Sequence, residues 1–371
     1  MTIFQQYYTS FQAPENSGKQ SGFGVQAETP GMPVAQEKIK AITGYHHPSS
    51  MPIKAIDQHP IALRFQAVDG QGILTCVQSS GADELGRDGN YFAHTLVGRI
   101  EDITSVMPPI FYWKSDFWVS KDITHYANLP SLANMDMLPI NFDSDVLWDF
   151  IGQGTRRTWL QKMLCAVIDF ARSKRPIIIL DTNESIAQWI ACVTLAIPSA
   201  YHKSLSFATY HHDPNRAPFM LIGTTRDSSF RFSNDEYTRY FILNAEDERV
   251  SDAPPSDYAD FVAQRFNREL PNQQFDDVFQ LNVAGRKVES SKMGLPTRKA
   301  RSSTLLQHDS PGGRHMKMRR GYRTGADWMP VIDDDFVFFQ VENLVQVERI
   351  AHLIQAAGMD AGDALRRELV C

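Results

Sequence analysis

The apolar pattern changes character along the 371 residues. From Thr2 to about Asn141, β-branched and aromatic residues come in short runs broken by Gly and Pro, which predicts strands over 61–68, 72–78, 91–97 and 110–119. A short helix is expected over 33–43, before a turn at Gly44. Positions 81–90 read as a loop, because Gly81, Asp83, Gly86, Asp88, Gly89 and Asn90 are residues that turns select.

Near Asp143 the period lengthens. Between Asp145 and Ser173, residues such as Leu147, Phe150, Leu160, Met163, Leu164, Val167 and Ile168 fall largely at helical spacing, interrupted by Gly152 and Gly154. Pro176-Ile177-Ile178-Ile179-Leu180-Asp181 is an unbroken apolar run closed by an acid, the pattern of a strand buried on both faces. Thr182, Asn183 and Glu184 then offer a cap for a helix over 185–196, which Pro198 ends. Strands are expected at 205–210 and 219–224, flanking the His211-His212-Asp213-Pro214 turn. After Tyr237 the pattern loosens into an amphipathic helix over 258–270, a strand-like run at 336–341 and helices over 343–357 and 360–369.

These elements predict an α+β chain: a β-rich N-terminal domain over 1–142, an α/β middle domain over 143–250, a linker with a basic arm over 251–327 and a small strand-helix element over 328–371. The 43% hydrophobic and 11% aromatic content is that of a globular protein. A net charge of -6 carries no whole-chain signal for nucleic acid or membrane. Charge is instead local: from Arg286 to Arg323 basic residues are dense, and Arg314, Lys317, Arg319, Arg320 and Arg323 form the candidate contact to phosphate backbones. The alternative role for this stretch is a solvated tether.

Four cysteines without C-x-x-C spacing fit neither a structural zinc site nor a disulfide framework and suit a reducing compartment. The first residues lack a secretory pattern, and no apolar run reaches the ~20 residues of a membrane span. A cytoplasmic chain without a membrane partner is expected.

Chemical signatures are scarce. Asp181 at the end of a buried strand invites comparison with a nucleotide-site acid, but no G-x-x-x-x-G-K-[ST] or G-x-G-x-x-G accompanies it, so a capping or turn role is expected. His46-His47, His94, His125 and His211-His212 lack helical metal-ligand spacing, and no G-x-S-x-G elbow occurs. No cofactor, metal or catalytic residue is expected; Arg87, Asn90 and His94 are the residues an otherwise invisible polar pocket would draw on.

Three segments acquire meaning together. Gln5-Gln6-Tyr7-Tyr8-Thr9-Ser10 with Gly22-Phe23-Gly24-Val25-Gln26-Ala27, then Gly89-Asn90-Tyr91-Phe92-Ala93-His94, then Leu205-Ser206-Phe207-Ala208-Thr209-Tyr210 with Asp213-Pro214, resemble the bacterial GTPase-associated protein family over roughly residues 3–245. The resemblance implies a non-enzymatic adaptor or regulatory subunit of a bacterial conflict or antiviral defence complex, working with a GTPase or other NTPase. The alternative is a nucleic-acid-binding component that uses the 286–323 arm. Tyr7, Tyr8 and Phe23 are the expected partner contacts, on the premise that they are exposed.

Overall fold

The computed structural model describes residues 2–266, apart from 12–20, 49, 53–54, 84–85, 105–106, 121–127, 137, 141 and 143, together with 330–333 and 336–339. It divides into two units, 1–254 and 255–371.

In the first unit the chain opens with strands β1 (Phe4–Phe11) and β2 (Gly22–Glu28), helix α1 (Gln36–Thr43), then β3 (Ala62–Val68), β4 (Gln71–Ala82) and β5 (Asp88–Arg99), followed by the one-turn helix α2 (Ile100–Thr104). Strands β3 and β4 are joined at Asp69-Gly70, both with positive φ (51° and 77°), as a two-residue turn matching the twist of a hairpin requires. The later part holds α3 (Ser144–Gly152), α4 (Arg156–Ser173), β6 (Ile177–Leu180), α5 (Asn183–Ala196), α6 (Ser199–His202), β7 (Phe207–Ala208), β8 (Leu221–Thr224), α7 (Asn234–Arg239), β9 (Phe241–Asn244) and β10 (Arg249–Val250). The protein is α+β, as its patterns predict.

Those ten strands form one sheet in the order β10-β9-β6-β8-β7-β3-β4-β5-β1-β2. The β1–β5 half is antiparallel, whereas β7, β8, β6 and β9 run parallel; the seam is the antiparallel pair β3–β7, Arg64 opposite Ala208 and Phe65 opposite Phe207. Thr209 reinforces the seam: its backbone N–H donates to the Leu63 carbonyl at 2.9 Å and its hydroxyl accepts from the Leu63 N–H at 2.9 Å. Asn183, the first residue of α5, grips Ile61 at both backbone groups, at 2.9 and 3.1 Å.

Paired residues share a face, so the register can be followed across the sheet. Ile242, Ile178, Ile222 and Ala208 form an apolar row in the parallel half; it continues through Arg64, Thr75 and Thr95 to Gln6 in the antiparallel half. The apolar part packs with Val34, Ile39 and Ile42 around α1 and with Phe230 and Tyr240. On the opposite face Gly223 admits α5 to the sheet: a β-carbon there would stand 2.3 Å from Ile186 Cγ2 and 2.5 Å from the Thr209 backbone oxygen.

Several local expectations need correction. The 110–119 stretch is not a strand: Pro108 and Pro109 start a 3-10 turn over Pro109–Tyr112, and Trp113 continues it by donating its N–H to the Ile110 carbonyl. The turn packs against α5 and β3 instead of joining the sheet, with Phe111, Tyr112 and Trp113 buried. The 81–90 loop is narrower than expected, since Gly81 pairs with Asn90 and Ala82 with Asp88. The strand expected over 205–210 contracts to Phe207–Ala208, and β1, β2 and β9 are strands that no run of the pattern singled out.

In the second unit, α8 (Asp257–Arg265) is capped by Ser256, whose hydroxyl accepts from the Ala259 N–H at 3.3 Å. Strands β11 (Pro330–Asp333) and β12 (Phe336–Phe339) pair antiparallel. The helices expected over 343–357 and 360–369, like the basic 286–323 arm, lie outside the described residues.

Candidate functional site: an aromatic row over a buried arginine

Arg64 sits on β3 at the seam, with 2% of its surface exposed. One guanidinium nitrogen donates to the carbonyls of Ile42 and Gly44, both at 2.7 Å, and the other to the Tyr210 carbonyl at 3.4 Å. The first two oxygens belong to the C-terminal end of α1, where helical carbonyls lack partners and the helix dipole is negative, so a cation is favoured there. Among the described residues no carboxylate pairs with it. Burial pulls its pKa down to about 10, which leaves it charged at neutral pH. One cation therefore ties the helix of the antiparallel half to the turn that follows β7.

Over this arginine runs a row of rings. Phe23 on β2 stacks on Tyr91 of β5 with centroids 4.8 Å apart, and Tyr8 of β1 stacks against both at 6.3 Å. Tyr91 meets Tyr45 at 6.2 Å, and Tyr45 meets Tyr210 at 5.7 Å. The buried hydroxyls are used: Tyr45 donates to the Pro60 carbonyl at 2.7 Å and Tyr210 to the His46 carbonyl at 2.8 Å. Burial raises the pKa of Tyr45 and Tyr210, and that of Tyr91 to about 12, so all three are neutral phenols.

Of the three expected partner contacts, Tyr7 and Tyr8 are 7% and 5% exposed, against the premise of exposure, while Phe23 is 50% exposed on the outermost strand. The reason is coverage of both faces of β1. Tyr8 lies in the ring row, and Tyr7 on the other face packs with Phe92, Val119 and Leu129. The basic residues Arg314, Lys317, Arg319, Arg320 and Arg323 lie outside the described residues. Arg64, Tyr45 and Tyr210 were not singled out as site residues by sequence; the available signal was a cation within a largely apolar strand.

Arg87, Asn90 and His94 are spread along one hairpin. Arg87 pairs with Asp83 at 2.6 Å, and the Asn90 side-chain oxygen accepts from the Ser10 and Tyr91 backbones at 3.2 and 2.9 Å. His94, four residues and about 13 Å farther along the strand by the usual rise, is boxed by Tyr7, Phe117 and Trp118. Its Nδ1 accepts from the Val119 N–H and its Nε2–H donates to Gln5 Oε1, both at 3.2 Å, and burial holds its pKa down at about 3. Each of the three groups already serves a structural partner.

The strand order β9-β6-β8 places the ends of β6 and β9 at a topological switch point, where open α/β sheets commonly bind ligands. Here much of that position is occupied by the chain itself. Asp181 Oδ1 accepts from the Thr182 N–H at 2.7 Å, its Oδ2 accepts from the Trp189 indole at 3.1 Å, and the Thr182 hydroxyl accepts from the Ser185 N–H at 3.2 Å. Several donors that an incoming phosphate would use at the start of α5 are thus engaged by Asp181 and Thr182.

Among the described residues no three or more His, Cys, Asp or Glu side chains converge as a metal site. Cys76, Cys165 and Cys192 are buried, and no described helix is long and apolar enough to cross a membrane.

The two halves of the sheet correspond to two family domains. Residues 2–135 match GTPase-associated protein 1, N-terminal domain type 2, and residues 147–247 match GTPase-associated protein 1, middle domain. The chain belongs to the GTPase-associated protein family, of which it carries the N-terminal and middle domains. Among curated proteins it is similar to a candidate ESX-1 scaffolding and assembly protein, SaeB, of Mycolicibacterium smegmatis, with 27% identity over 135 residues in strain ATCC 700084 / mc(2)155 and again in strain MKD8. The match takes in 35% of this chain and spans 16% of the length of these relatives.

Proposed function

We propose that this chain is a scaffold or adaptor subunit that holds a GTPase or another NTPase in a bacterial multiprotein complex, in a conflict or antiviral defence setting, and does no bond-making chemistry itself. The observation that carries this reading is the β3–β7 seam, which turns two domains into one sheet and so fixes the geometry between whatever binds each half. The family domains and the scaffolding name of the relative support it. Phe23, backed by Tyr8 and Tyr91, is the proposed contact, because a half-exposed ring held by stacking loses little freedom on binding.

The test is reconstitution. The full chain and GTPases from its native host are purified separately, mixed and examined for a complex of fixed stoichiometry, with nucleotide turnover measured for the chain alone. A stoichiometric complex and no turnover are expected. Turnover by the chain alone that disappears in Asp181→Asn would overturn the adaptor reading. Salt-sensitive DNA or RNA binding, lost when Arg314, Arg319, Arg320 and Arg323 are neutralised, would favour the nucleic-acid reading.

A further inference from the structure

Five histidines gather where the two halves meet. His46 and His47 follow α1, His59 precedes β3, and His211 and His212 follow β7. The rings of His47 and His59 stack at 4.8 Å and 10°, and His46 lies 6.0 Å from His212 across the junction. The Nδ1 atoms of His59 and His212 are buried without a hydrogen-bond partner, and Nδ1 of His211 accepts from the Asp213 N–H at 3.2 Å. The placements of His59, His211 and His212 suit neutral imidazoles.

The surroundings offer little to balance added charge. Arg64 already brings a buried cation to the cluster, and the neighbouring Tyr45, Tyr91, Tyr210 and Cys76 are held neutral by burial. Among the described residues the acids near the cluster are Asp213, which favours the charged form of His212 but is paired with Arg216 at 3.3 Å, Asp227, which interacts with Tyr210, and Asp57, two positions before His59. Protonating His211 or His212 would add like charge beside Arg64 in the buried contact.

We propose that His59, His211 and His212 form an acid-sensitive latch between the two halves of the sheet: their neutral rings let the 209–213 turn lie against the 45–48 stretch, and their protonation drives that turn away from the stretch and off β3 and β8. The latch is independent of what the protein binds. Its opening would release the Tyr210–His46 hydrogen bond and uncover Tyr45 and Tyr210.

The direction follows from linkage. Burial and Arg64 hold the His211 pKa down at about 3, and burial and neighbouring imidazoles lower those of His212 and His59. An opened, hydrated histidine titrates near 6.5, so the open form binds more protons below that pH and the latch weakens as pH falls from about 6.5 towards 3. For His211 alone the opening constant is expected to rise about tenfold between about pH 7.5 and pH 5.5, and further if His212 and His59 contribute.

Hydrogen exchange of the full chain tests this, with rates corrected for the intrinsic pH dependence. The reporters are the amides of Thr209 and His211, bonded to Leu63 and Gly223, and the control is Ile177 in β6, bonded to Met220. The proposal expects a tenfold or greater loss of protection at the reporters, none at Ile177, and a clearly smaller loss in His211→Gln/His212→Gln. Unchanged protection at both pH values, an equal loss at Ile177, or the same loss in the variant would overturn it. Should the variant not fold, imidazole NMR titration of the natural chain decides: His211 protonating near 6.5 with the reporters still protected refutes the latch.

Discussion

Ile186 presses against Gly223 so closely that α5 and β8 meet with no room for a side chain between them; the missing β-carbon would fall 2.3 Å from Ile186 Cγ2. The Thr209 backbone oxygen closes the site from the neighbouring chain segment at 2.5 Å. Neither can yield cheaply, since one is a packed β-branched side chain and the other is seam backbone. Gly223→Ala is expected to destabilise the protein by about 2–3 kcal/mol through overpacking. Chemical denaturation of the variant and the natural chain measures it; a loss below about 0.5 kcal/mol would show that α5 can shift.

Arg64→Met should be costly although a methionine would fill much of the space. The change strips donors from the carbonyls of Ile42, Gly44 and Tyr210, and the expected loss is about 2–4 kcal/mol on the scale of hydrogen bonds made by a charged group. Arg64→Lys should recover only part, because one ammonium cannot reproduce the planar fork. Denaturation midpoints of the two variants should rank in that order.

His94 predicts a pH dependence separate from that of the latch. Its pKa in the folded chain, about 3, lies below the ordinary 6.5, so its contribution is complete above about pH 6.5 and is lost as pH falls towards 3, at about 1.4 kcal/mol per pH unit. Global stability measured from pH 7 to pH 4 should fall less steeply in His94→Gln. An unchanged slope would show that His94 stays neutral in the unfolded chain as well or is protonated in the fold.

Asp181→Ala removes the acceptor for the fully buried Trp189 indole and for the Thr182 N–H, and a loss of about 1–2 kcal/mol is expected. Trp189 fluorescence should shift as the indole loses its partner. An unaltered spectrum with unaltered stability would leave Asp181 without the structural task assigned to it.

Phe23→Ala should leave the thermal midpoint within about 2 °C, as a half-exposed edge residue, while weakening the reconstituted complex at least tenfold. Equal binding by both proteins would move the contact elsewhere on the surface.

Sequence by itself determined the periodic elements whose cause is local. The run Ile177–Leu180 is buried on both faces wherever it is placed, Thr182 caps α5 with its own hydroxyl, and Gly152 and Gly154 separate α3 from α4. Patterning also placed α1 next to Gly44 and the antiparallel strands β3, β4 and β5 within a few residues. Tertiary structure alone decided which strands meet and what that makes of individual side chains. Arg64 has no assigned role until α1 sets its terminal carbonyls above it. Tyr8 reads as exposed until Tyr91 and Phe23 stack around it, and the histidines of positions 46, 47, 59, 211 and 212 are scattered until β7 pairs with β3. Local periodicity encodes which face of an element avoids water. The partner of that face, and so the charge, burial and hydrogen bonding at the junction, depends on contacts between residues far apart in sequence, 22 positions for Arg64 with Ile42 and 146 for Arg64 with Tyr210, which no local pattern records.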